Sequence, residues 1–245
     1  MVHSNCAAWK NEEKLLFSAR NNIQRSEIAI LSPQEIHHME YDQILRLLIG
    51  TRLGERLSSI QKLFSQLETA QKRFQEVFCI GCTEGCGSCC EHFYPNITNL
   101  EAEYMALGLM FEGRDQQILD MIHSTEEEPS SCPLYRKDTP YHCSCYALRP
   151  LVCRLFGSAV SKDKEGRPAF RNCRWNERKI EISKEDMELN REILVTMSDY
   201  GMELEYLQPE DPKTYPLFEA LERAIYKIRF LIHIESDPEP EPNAS

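Results

Sequence analysis

The sequence is short of several things, and each shortage excludes something. No stretch approaches the roughly 20 apolar residues of a membrane-spanning helix, so no membrane association is expected. The first residues, Met1 to Lys14, lack a basic start followed by an apolar run. No secretory signal is read there, and a cytoplasmic location is expected. Basic residues are outnumbered, 28 against 39 acidic ones, for a formal net charge of -11. That balance argues against broad binding to nucleic acid or to anionic membrane. There is no nucleotide motif, no glycine-rich phosphate loop and no recognisable catalytic triad. No internal repeat is visible.

Cysteine is what the sequence does have. Eleven occur in 245 residues. Cys79, Cys82, Cys86, Cys89, Cys90, Cys132, Cys143, Cys145, Cys153 and Cys173 share one window, and only Cys6 lies outside it. A disulfide framework belongs to oxidising compartments and small secreted scaffolds, whereas a chain of this length buries a core without such staples. In a reducing compartment, thiols crowded this closely read as metal ligands. Metal binding is therefore preferred over disulfide or redox chemistry and over inert buried thiols.

The rest of the chain has mainly helical texture. Residues 1–78 are expected to form a helical N-terminal region, with Ser32-Pro33 and Glu35 as a helix start signal. Ile44, Leu45, Leu47, Leu48, Leu53, Leu57, Ile60, Leu63, Phe64, Leu67, Phe74 and Phe78 recur largely at spacings of three and four. They predict one long helix or two, with the stripe packed in a core. Residues 79–175 carry the cysteines. Within them Thr98 and Glu101 make a capping-box pattern, predicting a helix to about His123. Residues 126–131 should form a loop, and 132–175 a loop-rich stretch with short helices. Residues 176–234 should supply C-terminal helices, one from Ser183 to about Tyr200 and one from about Tyr215 to Ile234. The tail 235–245 is acidic and Pro-rich and is expected to be disordered. The fold class expected is mainly α, a helical protein wrapped around a loop-rich, cysteine-ligated metal centre.

Three blocks carry a family resemblance: Cys86-Gly-Ser-Cys89-Cys90 after Cys82, then Cys132-Pro133, then Cys143-Ser-Cys-Tyr146-Ala-Leu-Arg149-Pro150-Leu-Val-Cys153-Arg154. Together they resemble the CxxCxxCC family of YkgJ-type cysteine-cluster proteins, a zinc- or iron-chelating domain. The resemblance covers roughly residues 79–175 and is most specific from Cys143 to Arg154. The first spacing departs from the family, with three residues between Cys82 and Cys86 rather than two, and Cys79 competes for the first position. Cys145 is read as an extra thiol. The metal ligands expected are Cys82, Cys86, Cys89, Cys90, Cys132, Cys143, Cys153 and Cys173. Adjacent side chains such as Cys89 and Cys90 diverge by about 100° on a helix, so two centres, or one multinuclear cluster plus a second site, suit them better than one ion.

Thiolate ligands suit zinc and iron–sulfur clusters alike. No spacing matches a ferredoxin run, and zinc outranks iron in general affinity. A related flagellin lysine-methylating group carries a similar motif, with iron–sulfur chemistry implied. His92 and His142 are further candidate ligands, though a histidine beside a ligand more often supports it or faces solvent. From Arg149 to Lys179 nine Lys or Arg face three acids, a local charge of +6. These cations are expected to neutralise an anionic thiolate site, with Arg149 and Arg154 bonding to sulfurs or loop carbonyls. A protein partner docking on that patch is the alternative. The function expected is metal binding, zinc or iron–sulfur, in a structural or accessory role. The alternative is an iron–sulfur enzyme for methyl or electron transfer.

Overall fold

The computed structural model describes residues 48, 50–81, 86–125, 131–139, 141–174 and 179–236. The helix start at Ser32-Pro33, the apolar residues Ile44, Leu45 and Leu47, Cys6 and Cys82 lie outside these residues. So do residues 126–130 of the expected loop and 237–245 of the expected tail.

Helix α1 spans Arg52–Phe78. Thr51 caps it, its hydroxyl accepting from Gly54 N while donating to the Leu48 carbonyl at 2.6 Å. Leu53, Leu57, Ile60, Leu63, Phe64, Leu67 and Phe74 are buried along one face, the stripe read from the sequence. The helix ends at Cys79, in left-handed backbone with φ 51°.

After the short α2 (Ser88–His92) and strand β1 (Asn96–Thr98) comes α3 (Asn99–Phe111). The capping box predicted at Thr98 is present: Glu101 N donates to the Thr98 hydroxyl, and Thr98 N to Glu101 Oε2. The single helix expected to His123 is instead two, because the chain breaks at Gly113 (φ 62°) and restarts as α4 (Asp115–His123). Left-handed backbone costs glycine little, so the break falls there.

The sequence from 143 onward turns through a 3-10 segment (Tyr146–Leu148) into α5 (Leu151–Leu155). Strands β2 (Val160–Lys162) and β3 (Pro168–Phe170) then pair antiparallel, with Ser161 opposite Ala169. This hairpin stands where only loop and short helices were expected. Its turn is closed by the Asp163 carboxylate, which accepts from the backbone N–H of Glu165 and Arg167.

Ser183 is an N-cap as predicted, accepting from Asp186 N. Its helix, α6, is short (Lys184–Leu189), and a second one, α7, begins at Met197 and runs to Tyr206. The expected helix to Tyr200 is thus split. Strand β4 (Thr214–Pro216) pairs antiparallel with β1, Ile97 opposite Tyr215, and leads into α8 (Leu217–Ser236). That helix runs two residues beyond the predicted boundary.

The described elements are mainly helical, with two two-stranded ribbons. Helix α3 lies between α1 and α8 and is buried almost throughout. Leu217, Phe218, Ala220, Leu221, Ala224, Ile225 and Ile228 form the buried face of α8. Two buried carboxylates link to the same helix: Glu103 to Lys227 and Asp115 to Arg229. The helices present a firm wall against which the cysteine segments lie.

Candidate metal centre

Four separate segments bring thiols together. Cys89 and Cys90 lie in α2, whose far end is tied to the α8 start: the Tyr94 hydroxyl accepts from Phe218 N at 3.0 Å, and the Pro95 carbonyl from Leu217 N at 3.1 Å. Cys132 N donates to the Cys90 carbonyl at 2.9 Å, which lays the second segment beside α2. The chain then doubles back, with Ser144 N donating to Leu134 O and Arg136 N to His142 O, so that Cys143 faces Tyr135. Cys153 sits in α5. The start of α5 is anchored by Leu151 N, which donates to Glu101 Oε1 at 2.7 Å.

The sulfurs of Cys89 and Cys90 are 4.0 Å apart. The divergence expected of neighbouring residues does not keep these two sulfurs apart. The Cys90 thiol lies within contact of Cys89, and those of Cys132 and Cys143 stand near enough to shift its titration. Cys89, Cys90, Cys132 and Cys153 also line one cavity, closed by Phe93, Pro95 and Phe156. The rings of Phe93 and Phe156 are 5.9 Å apart. Five of the eight predicted ligands are thus brought together.

Two of the other three, Cys86 and Cys173, are not. Cys82 lies outside the described residues. Cys86 precedes α2, half-buried, with its sulfur 3.8 Å from the Ser88 hydroxyl. Cys173 is half-buried on the loop after β3, where Lys179 donates to its carbonyl at 3.1 Å. Among the described residues no thiol–thiol contact joins Cys86 or Cys173 to the group. Cys79 is exposed at the end of α1, its sulfur 3.8 Å from the Glu76 carbonyl. Cys145, the extra thiol, is buried apart from the cavity, 3.8 Å from the Ser144 hydroxyl.

Electrostatics divide the thiols. Hydrogen bonds, first to Cys132, then to Cys143 and Cys89, together with burial, push Cys90 far above the ordinary thiol range. Its proton is shared outward, so the hydrogen bond from Cys90 lowers Cys89 to about 6 and Cys143 to about 7. Cys132 is lowered first by the same residue. The Arg149 guanidinium adds to the lowering of Cys89 and Cys143. Burial raises Cys153, and raises Cys145 to about 11. In metal-free protein, alkylation of Cys89 should therefore become rapid above a pH of about 6, while Cys145 resists until about 11. The thiolate is the reactive form. Mass-spectrometric labelling across pH measures both; equal profiles would contradict the assignment.

The two arginines predicted to act together are separated. Arg149 stays near the sulfurs, its guanidinium 3.4 Å from the Tyr146 ring centroid, and Tyr146 stacks on Tyr141 at 4.1 Å. Arg154 turns away and is buried. It donates to the carbonyls of Arg149 and Ala147, both at 2.6 Å, pairs with Glu68 on α1, and covers the Phe64 ring at 4.3 Å. Gln71, also on α1, donates to the Arg154 carbonyl and the Ser158 hydroxyl. Other cations of the segment are engaged locally: Lys162 with Asp199, and Arg167 with Asp163 and Glu165.

Glycine is required at position 87, where α2 meets the returning loop. A Cβ there would overlap that of His142, lie 2.7 Å from its Cγ, and be 3.0 Å from the Tyr135 ring. Gly87→Ala should push α2 off the loop and lower thermal stability by about 1–3 kcal/mol. A melting curve checks it; an unchanged midpoint would contradict this packing. The sequence reading did not single out Gln71, Glu68, Phe93 or Phe156. Their roles come from contacts with distant segments, for which spacing carries no signal.

The donor set fits a thiophilic metal in type. Two sulfurs bound to one tetrahedral zinc at about 2.3 Å stand about 3.8 Å apart, close to the 4.0 Å between Cys89 and Cys90. As they stand, no three Cys, His, Asp or Glu side chains among the described residues surround one point closely enough to hold an ion. The thiols are gathered rather than closed.

Residues 81–174 match the model of the CxxCxxCC family, whose description is "Putative zinc- or iron-chelating domain". The match spans all eight predicted ligands and bears out the resemblance and the metal-binding expectation, with zinc or iron as the metal. No curated protein and no solved structure matches the chain. Among the described residues, no helix is long and apolar enough to cross a membrane.

Proposed function

We propose that Cys89, Cys90, Cys132, Cys143 and Cys153 hold the metal, as zinc or an iron–sulfur cluster, in a structural or accessory role. One observation carries this reading: thiols from three segments, 64 positions apart at the extremes, meet at one apolar cavity. Binding there would tie α2, the 132–144 loop and α5 to one another, and metal binding of this kind supplies folding free energy. The chain's own groups prepare the site. Arg149 offsets the negative charge of the thiolates. Phe93 and Phe156 exclude water, and the backbone bonds of Cys132 and Leu151 hold the segments in place. Cys86, three residues before Cys89, is the next candidate ligand.

Anaerobic purification, followed by metal and sulfide analysis and a visible spectrum, tests the reading. Iron with sulfide and a brown colour would assign a cluster. Colourless protein carrying zinc would assign zinc. Protein with neither, after purification that protects thiols, would refute the metal centre.

The second reading, an iron–sulfur enzyme for methyl or electron transfer, is favoured by the cavity itself. A catalytic metal keeps a coordination position open to a pocket, and four of the thiols face such a space. Replacement of the bound metal's colour or spin signature on adding a small ligand such as cyanide would support it.

A further inference from the structure

His142 stands immediately before Cys143, with backbone in the left-handed region at φ 52°. Its ring is stacked on Tyr135, 5.8 Å between centroids and 17° between planes. Gly87, at the start of α2, is pressed against its Cβ, which joins two cysteine segments: Gly87 directly follows Cys86, and His142 directly precedes Cys143. Its Nδ1 is sealed from solvent, and among the described residues it has no hydrogen-bond partner. That combination is unusual. Buried polar atoms are almost always paired, and a ring nitrogen can satisfy itself as donor or acceptor by choice of tautomer. Here neither tautomer finds a partner.

We propose that His142 is a nitrogen ligand of the metal centre, binding through Nδ1. The inference rests on the thiolate reading above and adds a donor of different chemistry to it. Neutral imidazole is a common protein metal ligand, and it joins thiolates in mixed zinc sites; a lone pair directed at a cation needs no hydrogen-bond partner. The local structure is arranged around this ring. The left-handed backbone turns the chain at 142, Tyr135 fixes the ring plane, and Gly87 removes the side chain that would displace it. The other histidine beside the cysteines is arranged differently: Nδ1 of His92 lies 2.9 Å from the Ser88 carbonyl. A mixed sulfur–nitrogen centre carries less negative charge than an all-thiolate one. It would also be less easily stripped of metal by thiol oxidants.

The test uses the protein as purified and reads the metal directly. X-ray absorption at the edge of whichever metal is present reports outer-shell imidazole scattering, which sulfur ligands do not produce. The wild-type protein should show it. His142→Gly should lose it and hold its metal at least tenfold more weakly, and added imidazole should restore the signal. Glycine is chosen because it accepts φ 52° without strain, so the fold is retained; His92→Ala is the control and should keep the signal. An all-sulfur wild-type spectrum would overturn the inference and leave the thiolate centre standing. So would an imidazole signal that survives in His142→Gly. Wild-type protein that binds no metal at all would refute the thiolate centre itself, and the inference with it.

Discussion

Arg154→Gln is expected to cost about 2–4 kcal/mol of stability and to leave the chemistry of the thiols nearly unchanged. Arg154 is almost fully buried, and its guanidinium serves the carbonyls of Arg149 and Ala147, the Glu68 carboxylate and the Phe64 ring. A shorter amide cannot reach them all, and each buried acceptor left unpaired costs about 1–3 kcal/mol. For a domain of this size that is a fall in melting temperature of about 5–15 °C. Arg149→Gln should behave in the opposite way. It is half-buried and lowers the Cys89 and Cys143 thiols by proximity. Without it those thiols bind protons at higher pH, so protons compete better with metal. On acidification metal loss should begin at higher pH, with little change in melting temperature. Thermal melts and a pH titration of metal release separate the two variants. If Arg154→Gln sheds metal at full stability, the division of roles is wrong.

The second large effect is expected from Cys90→Ser. Cys90 is the thiol whose titration is tied to three others, Cys132, Cys143 and Cys89. Its backbone carbonyl also receives Cys132 N. A serine keeps the backbone bond and removes the sulfur. Metal affinity should fall by more than the roughly 10–100-fold that follows loss of a supporting group alone. The Cys89 and Cys143 thiols should rise toward ordinary values, since the hydrogen bond that lowers each of them most comes from Cys90. Cys145→Ser, by contrast, should leave metal content intact, because Cys145 lies beside Ser144 away from the cavity. Metal analysis and thiol alkylation on the two variants measure this. Full metal retention by Cys90→Ser would remove Cys90 from the centre.

Local signals in the sequence determined a good deal of this protein by themselves. The apolar stripe from Leu53 to Phe74, the Thr98–Glu101 capping box and the Ser183 cap each depend on residues within a few positions of one another. Helical periodicity and capping hydrogen bonds act over that range, so the reading and the structure agree there. The cysteine blocks, with their Cys-Pro and Tyr-x-x-Arg-Pro spacing, likewise carried the chelating domain. The breaks at Gly113 and at residues 190–196 were less legible, since a glycine or an asparagine inside a helical pattern does not always end it.

Only tertiary structure decided which thiols meet. Cys89 and Cys153 are far apart in sequence, and they share a cavity because Leu151 N finds Glu101 and the α2 segment is tied to α8. Neither contact leaves a periodic trace. The same holds for the two arginines, five positions apart and alike in composition. One faces the sulfurs and the other is drawn into the core by Glu68, Phe64 and two carbonyls. For such residues identity sets the chemistry available, and the packing of distant segments sets which of it is used.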